Sequence, residues 1–266
     1  MTISTIIGLV AGFACIIVGI LINGKIPDFI DPASIFIVIG GTLCSIVISY
    51  PISLIVDTVK SVKLCFSKNA FDPNDNIEQI IELANTARKN GLLALEDMLE
   101  SIENPFLRKG IMLIVDGSNS ELVKSVMETE AYFIQERHNR CIAVLNTGSS
   151  CAPAFGMVGT LIGLINMLVN LSDSASLGPS MSVALVTTFY GVVLANYIFS
   201  PFAKKLGVYT AYEELQNEMM IEGILAIQDG EHPRMIRDKL ESFISSREKA
   251  VLAERLDRKK DNGEEK

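Results

Sequence analysis

The sequence predicts an all-α, polytopic membrane protein: four transmembrane helices, a helical cytoplasmic insert, and long third and fourth helices that extend into the cytoplasm. Three observations lead there. Of the 266 residues, 49% are hydrophobic and none is Trp, and a mean hydropathy of +0.35 is high for a soluble domain. Four windows, residues 3–22, 33–56, 144–171 and 181–202, reach the roughly 20 apolar residues that a helix needs to cross the hydrocarbon core. No stretch shows a convincing strand pattern.

The first window has no basic residue in "MTIST" ahead of it and no small-residue cleavage site in "LINGKIPDF" after it, so it reads as a retained helix and not a signal peptide. The turns "NGKIPDFID" and "SDSASLGPS" contain Lys25 and nothing else basic, whereas the other 22 of the 23 Lys and Arg lie in 57–140 or after 203. The excess of basic residues marks the cytoplasmic side, so the insert, the tail and both termini are expected there, on a multi-pass protein of the inner membrane. The formal net charge of -8 does not oppose this, because the acids lie mostly in the same cytoplasmic regions. The expected organisation is 1–56 for the first two membrane helices, 57–143 for the cytoplasmic helical domain, 144–203 for the third and fourth membrane helices, and 204–266 for a cytoplasmic helical tail.

Within the insert, "DPNDNIEQIIELANTARKNG" reads as a helix. Asp75 and Glu78 stand as a capping pair, Ile77, Ile80, Ile81, Ala84 and Ala87 form an apolar stripe, and Asn90-Gly91 ends it. A second helix, "LLALEDMLESIENP", stops before Pro105, and a third ends at Gly117. A fourth, capped near Ser120, meets no breaker before the third membrane window and is expected to run into the bilayer. The helix after the fourth window continues through Leu215, Met219 and Ile224. The final "EKAVLAERLDRKKDNGEEK" is so charged that it is expected to fray.

The chemistry that is absent narrows the function. There is no GxxxxGK[ST], GxGxxG or GxSxG; His138 and His232 lack neighbours at metal spacing; and Cys15, Cys44, Cys65, Cys141 and Cys151 are odd in number without CxxC spacing. No enzyme, cofactor or metal site is expected. The third and fourth windows also lack any ionisable group of the kind that marks an ion route through a membrane. They carry small and hydroxylated residues instead. Gly156, Gly159, Thr160 and Gly163 share one helix face, as do Ala184, Thr188, Gly191 and Ala195. Such faces let helices approach closely in lipid. They serve packing within the chain or, as the favoured reading, packing around a helix of another chain that supplies the missing charge. Pro153 and Pro201 each remove a backbone bond from a membrane helix and leave a carbonyl one turn earlier without its partner, near Ser149 and Tyr197.

The segments "PAFGMVGTLIGL" and "VALVTTFYGVVLANYIFSPFAKKL", with "ARKNGLLALE" and "IENP" in the insert, resemble the MotA/PomA family of bacterial flagellar stator subunits over nearly the whole chain. The resemblance implies an ion channel, proton favoured and sodium possible, that couples ion flow to torque. It implies five copies around two helices of a MotB/PomB-like partner, whose Asp binds the ion. It implies that Pro153 and Pro201 are needed for torque, that Thr160 and Thr188 lie near the ion path, and that Arg88 and Glu96 contact the rotor protein FliG. Position 160 is alanine in some proton-driven members, so Thr160 leaves the coupling ion open. The alternative is an energiser of a periplasmic partner similar to ExbB/TolQ, a group with three membrane helices. Nothing implies binding of nucleic acid.

Overall fold

The computed structural model describes residues 2–64 and 73–264; Cys65 lies outside them. Every regular element among the described residues is helical. The chain forms two compact units, Met1–Ala70 with Arg137–Tyr209, and Phe71–Glu136 with Thr210–Lys266. Its contacts therefore part the chain at 70, 136 and 209, where the sequence pattern sets boundaries at 56, 143 and 203.

The first unit opens with α1, Thr2–Asn23, followed by a 3-10 turn at Ile26–Phe29. Helices α2, Pro32–Ile35, and α3, Gly41–Ser49, are joined by a π turn at Phe36–Gly40 into one span. Asp31 caps its start by accepting the Ser34 N–H at 2.7 Å, and Pro32 follows at the first helical position, where no N–H is required. The span stops earlier than the window 33–56 implies. Tyr50 is extended, at φ -136 and ψ 147, because the ring of Pro51 disfavours the helical conformation in the residue before it. A separate helix, α4, Ile52–Leu64, begins beyond.

Among the described residues, four helices are long and apolar enough to cross a membrane. None of Thr5–Ile22 is buried within the chain, and Phe36 and Ile48 are 81% and 86% exposed. Such surfaces suit lipid and not water.

The second unit begins with α5, Pro73–Asn90, which buries Ile77, Ile80, Leu83 and Ala84 and ends at Gly91, where φ is +87. Glycine tolerates that left-handed backbone. Two expectations change here, the capping pair and the second helix. Asp75 and Glu78 lie inside the first turns of α5, and Arg255 holds both, at 2.7 and 3.8 Å. Residues Leu92–Ser101 form 3-10 turns and not an α-helix, with Leu95 anchoring them in the core. Helix α6, Pro105–Val115, ends in a hydrogen-bonded glycine turn, with Ser118 N–H donating to Leu113 O at 3.1 Å. The 50-residue α7, Ser120–Val169, is capped next to Ser120 as expected, by Asn119, whose Oδ1 accepts the Leu122 N–H at 2.8 Å.

Helices α8, Ser174–Val193, and α9, Ser200–Gln228, flank a second π turn at Leu194–Phe199. Along α9 Leu215 is exposed, and Met219, Met220 and Ile224 enter the core. His232 caps α10, Pro233–Glu241, through Nδ1. Lys239 of α10 bonds Glu231 at 2.6 Å and Glu222 at 3.4 Å. The Glu231 bond leads in raising its pKa above the ordinary 10.5. That contribution is fully present below 10.5 and is lost only as pH climbs through the raised value. The charged tail does not fray as expected but forms α11, Ser246–Glu264, with Leu252 fully buried.

The second unit's core tests this packing. Leu107 is fully buried and Leu93 is 73% exposed. Leu107→Ala should cost about 2–5 kcal/mol through lost burial and a cavity, and the detergent-solubilised protein should show a clearly lower thermal midpoint, while Leu93→Ala leaves the midpoint within error.

Candidate functional site

Neither 141–172 of α7 nor 174–203 of α8 and its continuation contains an Asp, Glu, Lys, Arg or His. Close packing is what these segments build. A Cβ on Gly156 would stand 3.0 Å from Thr187 O and 3.4 Å from Gly191 Cα, and one on Gly191 would stand 2.7 Å from Ala152 O and 3.1 Å from Pro153 Cα. Gly159 lies against the Thr187 side chain, and a Cβ on Gly163 would meet Ser180 O at 2.7 Å and Ala184 Cβ at 2.8 Å. The faces carrying Gly156, Gly159, Gly163, Ala184 and Gly191 therefore meet each other. Of the two uses the sequence leaves open, packing within the chain accounts for these five residues.

That contact brings the two threonines together. Thr160 Oγ1 lies within hydrogen-bond distance of Gly156 O at 3.1 Å, Ala184 O at 3.0 Å and Thr188 Oγ1; Thr188 Oγ1 also reaches Ala184 O, at 3.3 Å. Each hydroxyl has one proton to donate and two lone pairs. However the two protons are placed, the pair keeps acceptor capacity toward the open side, where Thr188 is exposed and Thr160 half-buried. The site can thus offer neutral oxygen ligands, or order water, but holds no group that binds and releases a proton. Thr187, which the sequence reading passed over, is fully buried and donates back to Val183 O and Ala184 O at 2.9 and 3.0 Å. Its neighbour's identical chemistry hid it; only the helix face separates them.

The two prolines border a second contact. Ser149, one turn before Pro153, donates from Oγ to Ala195 O at 3.3 Å. Ala195 lies in the π turn before Pro201, and the same carbonyl accepts the Ser200 N–H. Gly148 makes room for the Phe199 ring, 2.6 Å from where a Cβ would stand. On the outer side of the turn, Tyr197 donates to the carbonyls of Gly8 and Leu9 and stacks edge-on against Phe13 at 5.6 Å. A π turn is a known companion of functional helices, and no periodicity in the sequence signals it.

In the second unit Arg88 ends α5 and Glu96 sits in the 3-10 turns; both are exposed, and among the described residues no ion pair engages either. Leu93, 73% exposed, lies between them in sequence.

The chain is similar to known proteins over nearly its whole length. Residues 6–91 match the family described as Motility protein A N-terminal, and residues 98–220 match the MotA/TolQ/ExbB proton channel family. The chain is 38% identical over 251 residues to chemotaxis protein PomA of Vibrio alginolyticus, covering 94% of this chain and 98% of that one. It is also 38% identical over 256 residues to motility protein A of Treponema phagedenis, covering 96% and 99%. Its fold matches the flagellar MotAB stator complex of Bacillus subtilis with a TM-score of 0.87 at 30% identity, over 94% of this chain and 99% of that chain. With an N-terminal motility match, four spans and near full-length identity at this level, the chain belongs to the MotA/PomA family of flagellar stator subunits.

Proposed function

We propose that this chain, a stator subunit of the bacterial flagellar motor, walls an ion path at Thr160 and Thr188 and passes the ion's free energy to a rotor through Arg88 and Glu96. The observation that carries the reading is the hydroxyl pair on Ala184 O, held by close backbone contact in segments without one ionisable side chain. An ion path needs a site that binds and releases charge. This chain lacks one in these helices, so a partner similar to the MotB component of MotAB complexes supplies the carboxylate. Several copies of the chain, five in this reading, surround that partner. The outer edges of the threonine pair face it, whereas Ala195, expected to do the same, is buried within the chain. Pro153 and Pro201 act as the hinges through which ion passage moves the helices, and the orientation puts both termini in the cytoplasm.

Each charge that crosses releases about 2.3 kcal/mol per 100 mV, so a mechanical step of useful size draws on several crossings. The proton is the favoured ion. Sodium needs oxygen ligands to replace its hydration shell, whereas a proton moves along ordered water and tolerates the loss of one hydroxyl.

The ion assignment is checked by swimming speed across a sodium titration and with a protonophore. Speed should be independent of sodium, collapse with the protonophore, and survive in part in Thr160→Ala cells; speed that vanishes without sodium in unmutated cells and is not recovered by Thr160→Ala at any sodium level establishes sodium instead. The chain reconstituted alone should conduct no ions above the background of empty vesicles, and robust proton leak without a partner contradicts the division of labour. Arg88→Glu and Glu96→Lys should each slow swimming under load without preventing stator assembly, because an exposed pair is worth only about 0–1 kcal/mol and is screened by salt. Wild-type torque in both variants removes them from the rotor contact.

A further inference from the structure

We propose that the outer face of α4 seats the headgroups of anionic phospholipids in the cytoplasmic leaflet. The path of α4 is the first reason. Three contacts to α7 trace it: Ser45 Oγ to Cys151 Sγ at 3.3 Å, Tyr50 hydroxyl to Thr147 Oγ1 at 2.8 Å, and Ser61 Oγ to Cys141 Sγ at 3.8 Å. Between the first two contacts, five residues of this segment pass four of α7, as neighbouring antiparallel helices do. Between the second and third, eleven residues pass six. At about 1.5 Å per residue, the chain covers roughly 16 Å of its own length while moving roughly 9 Å along α7. Beyond Pro51, α4 therefore runs obliquely to the membrane-crossing helix beside it, while Thr58, Ser61 and Val62 keep its inner face packed.

The second reason is its outer face. Ile52, Val56 and Val59 are 70%, 46% and 55% exposed, and their spacing of four and three lines them up on one stripe. Lys63 continues the same stripe one turn on, and Lys60 flanks it. Opposite, Thr58 is buried, and Val62 packs on Leu145, Ala203 and Leu206. The exposed stripe is thus not the face that holds the first unit together. Lys60 meets Asp57 at 3.1 Å, but their side chains are 71% and 60% exposed, so the pair is weak and leaves the ammonium able to reach a phosphate. Among the described residues no ion pair engages Lys63.

Lipid fits this stripe better than protein does. It continues the exposed apolar residues Leu43, Val47 and Ile48 at the end of the preceding span. It also grades from apolar to basic along an oblique helix, which places the first turns at acyl depth and the lysines at phosphate depth. Lysine is depleted from the buried centres of protein interfaces, so a second copy of this chain is the poorer occupant.

The absence of Trp from the chain allows a direct test. Full-length protein carrying Val56→Trp is reconstituted in mixed phosphatidylglycerol and phosphatidylcholine bilayers, with bromine high on the acyl chains of one lipid or the other, and compared with Phe13→Trp on α1, which is 45% exposed. Brominated phosphatidylglycerol should quench Val56→Trp through an association about fivefold or more tighter than that of phosphatidylcholine, at roughly a fewfold per lysine, while Phe13→Trp discriminates little. Adding Lys60→Gln and Lys63→Gln should abolish the discrimination and keep the quenching. No quenching by either lipid means that protein covers the face and overturns the proposal, as does equal quenching by both lipids or discrimination that survives loss of the lysines.

Discussion

Close approach of two backbones in a medium without water is the constraint on which the first unit depends. Apolar side chains gain little from leaving lipid for protein, so helices there associate through contact area and polar links. Gly156, Gly159 and Gly163 on α7, against Ala184, Thr187 and Gly191 on α8 and its neighbouring turns, leave no room for a single added carbon. That proximity does two further things. It puts the Thr160 hydroxyl within reach of a carbonyl on the facing helix, and it fixes the two threonines side by side without charge or metal to hold them.

The electrostatic character of the site follows from the same economy of side chains. Neutral hydroxyls are tolerated at membrane depth because each can donate back to its own helix, as Thr187 does to Val183 O and Thr188 to Ala184 O. A carboxylate in the same place requires a counter-charge or proton at all times. In the proposed division of labour, leaving the charged ligand to another chain keeps this one insertable and makes ion flow conditional on assembly.

Much of this was legible in the sequence. Spans, buried stripes and glycine spacing are periodic, and periodicity is what a sequence displays most openly: Ile77, Ile80 and Ala84 are buried where their spacing sets them. The two threonines could be placed on matching faces, but the partner of each glycine face could not, since a small face reads alike against its own chain and against another. The misses are local or long-range in a way spacing does not encode. Pro51 was present in the sequence and breaks the second window, but an apolar run on both sides concealed the break. The tail is charged enough to look disordered, and what orders it is Leu252 in the core and Arg255 reaching back more than 170 residues to Asp75 and Glu78.

The π turn at Leu194–Phe199 is a store of helical phase. A π turn holds one residue more than the α turn it replaces, so it offsets everything beyond it by the angle of one residue, about 100°, and by about 1.5 Å along the axis. Ser200 onward is the 29-residue helix α9, whose side chains all inherit that offset. That phase decides which side chains of α9 enter each cluster, Ala203 and Leu206 in the first unit and Met219 and Ile224 in the second. The bonds from Ser149 to Ala195 O and from Tyr197 to α1 hold the turn at that phase, and Pro201, which has no N–H to donate, leaves the bond that closes the turn to Ser200.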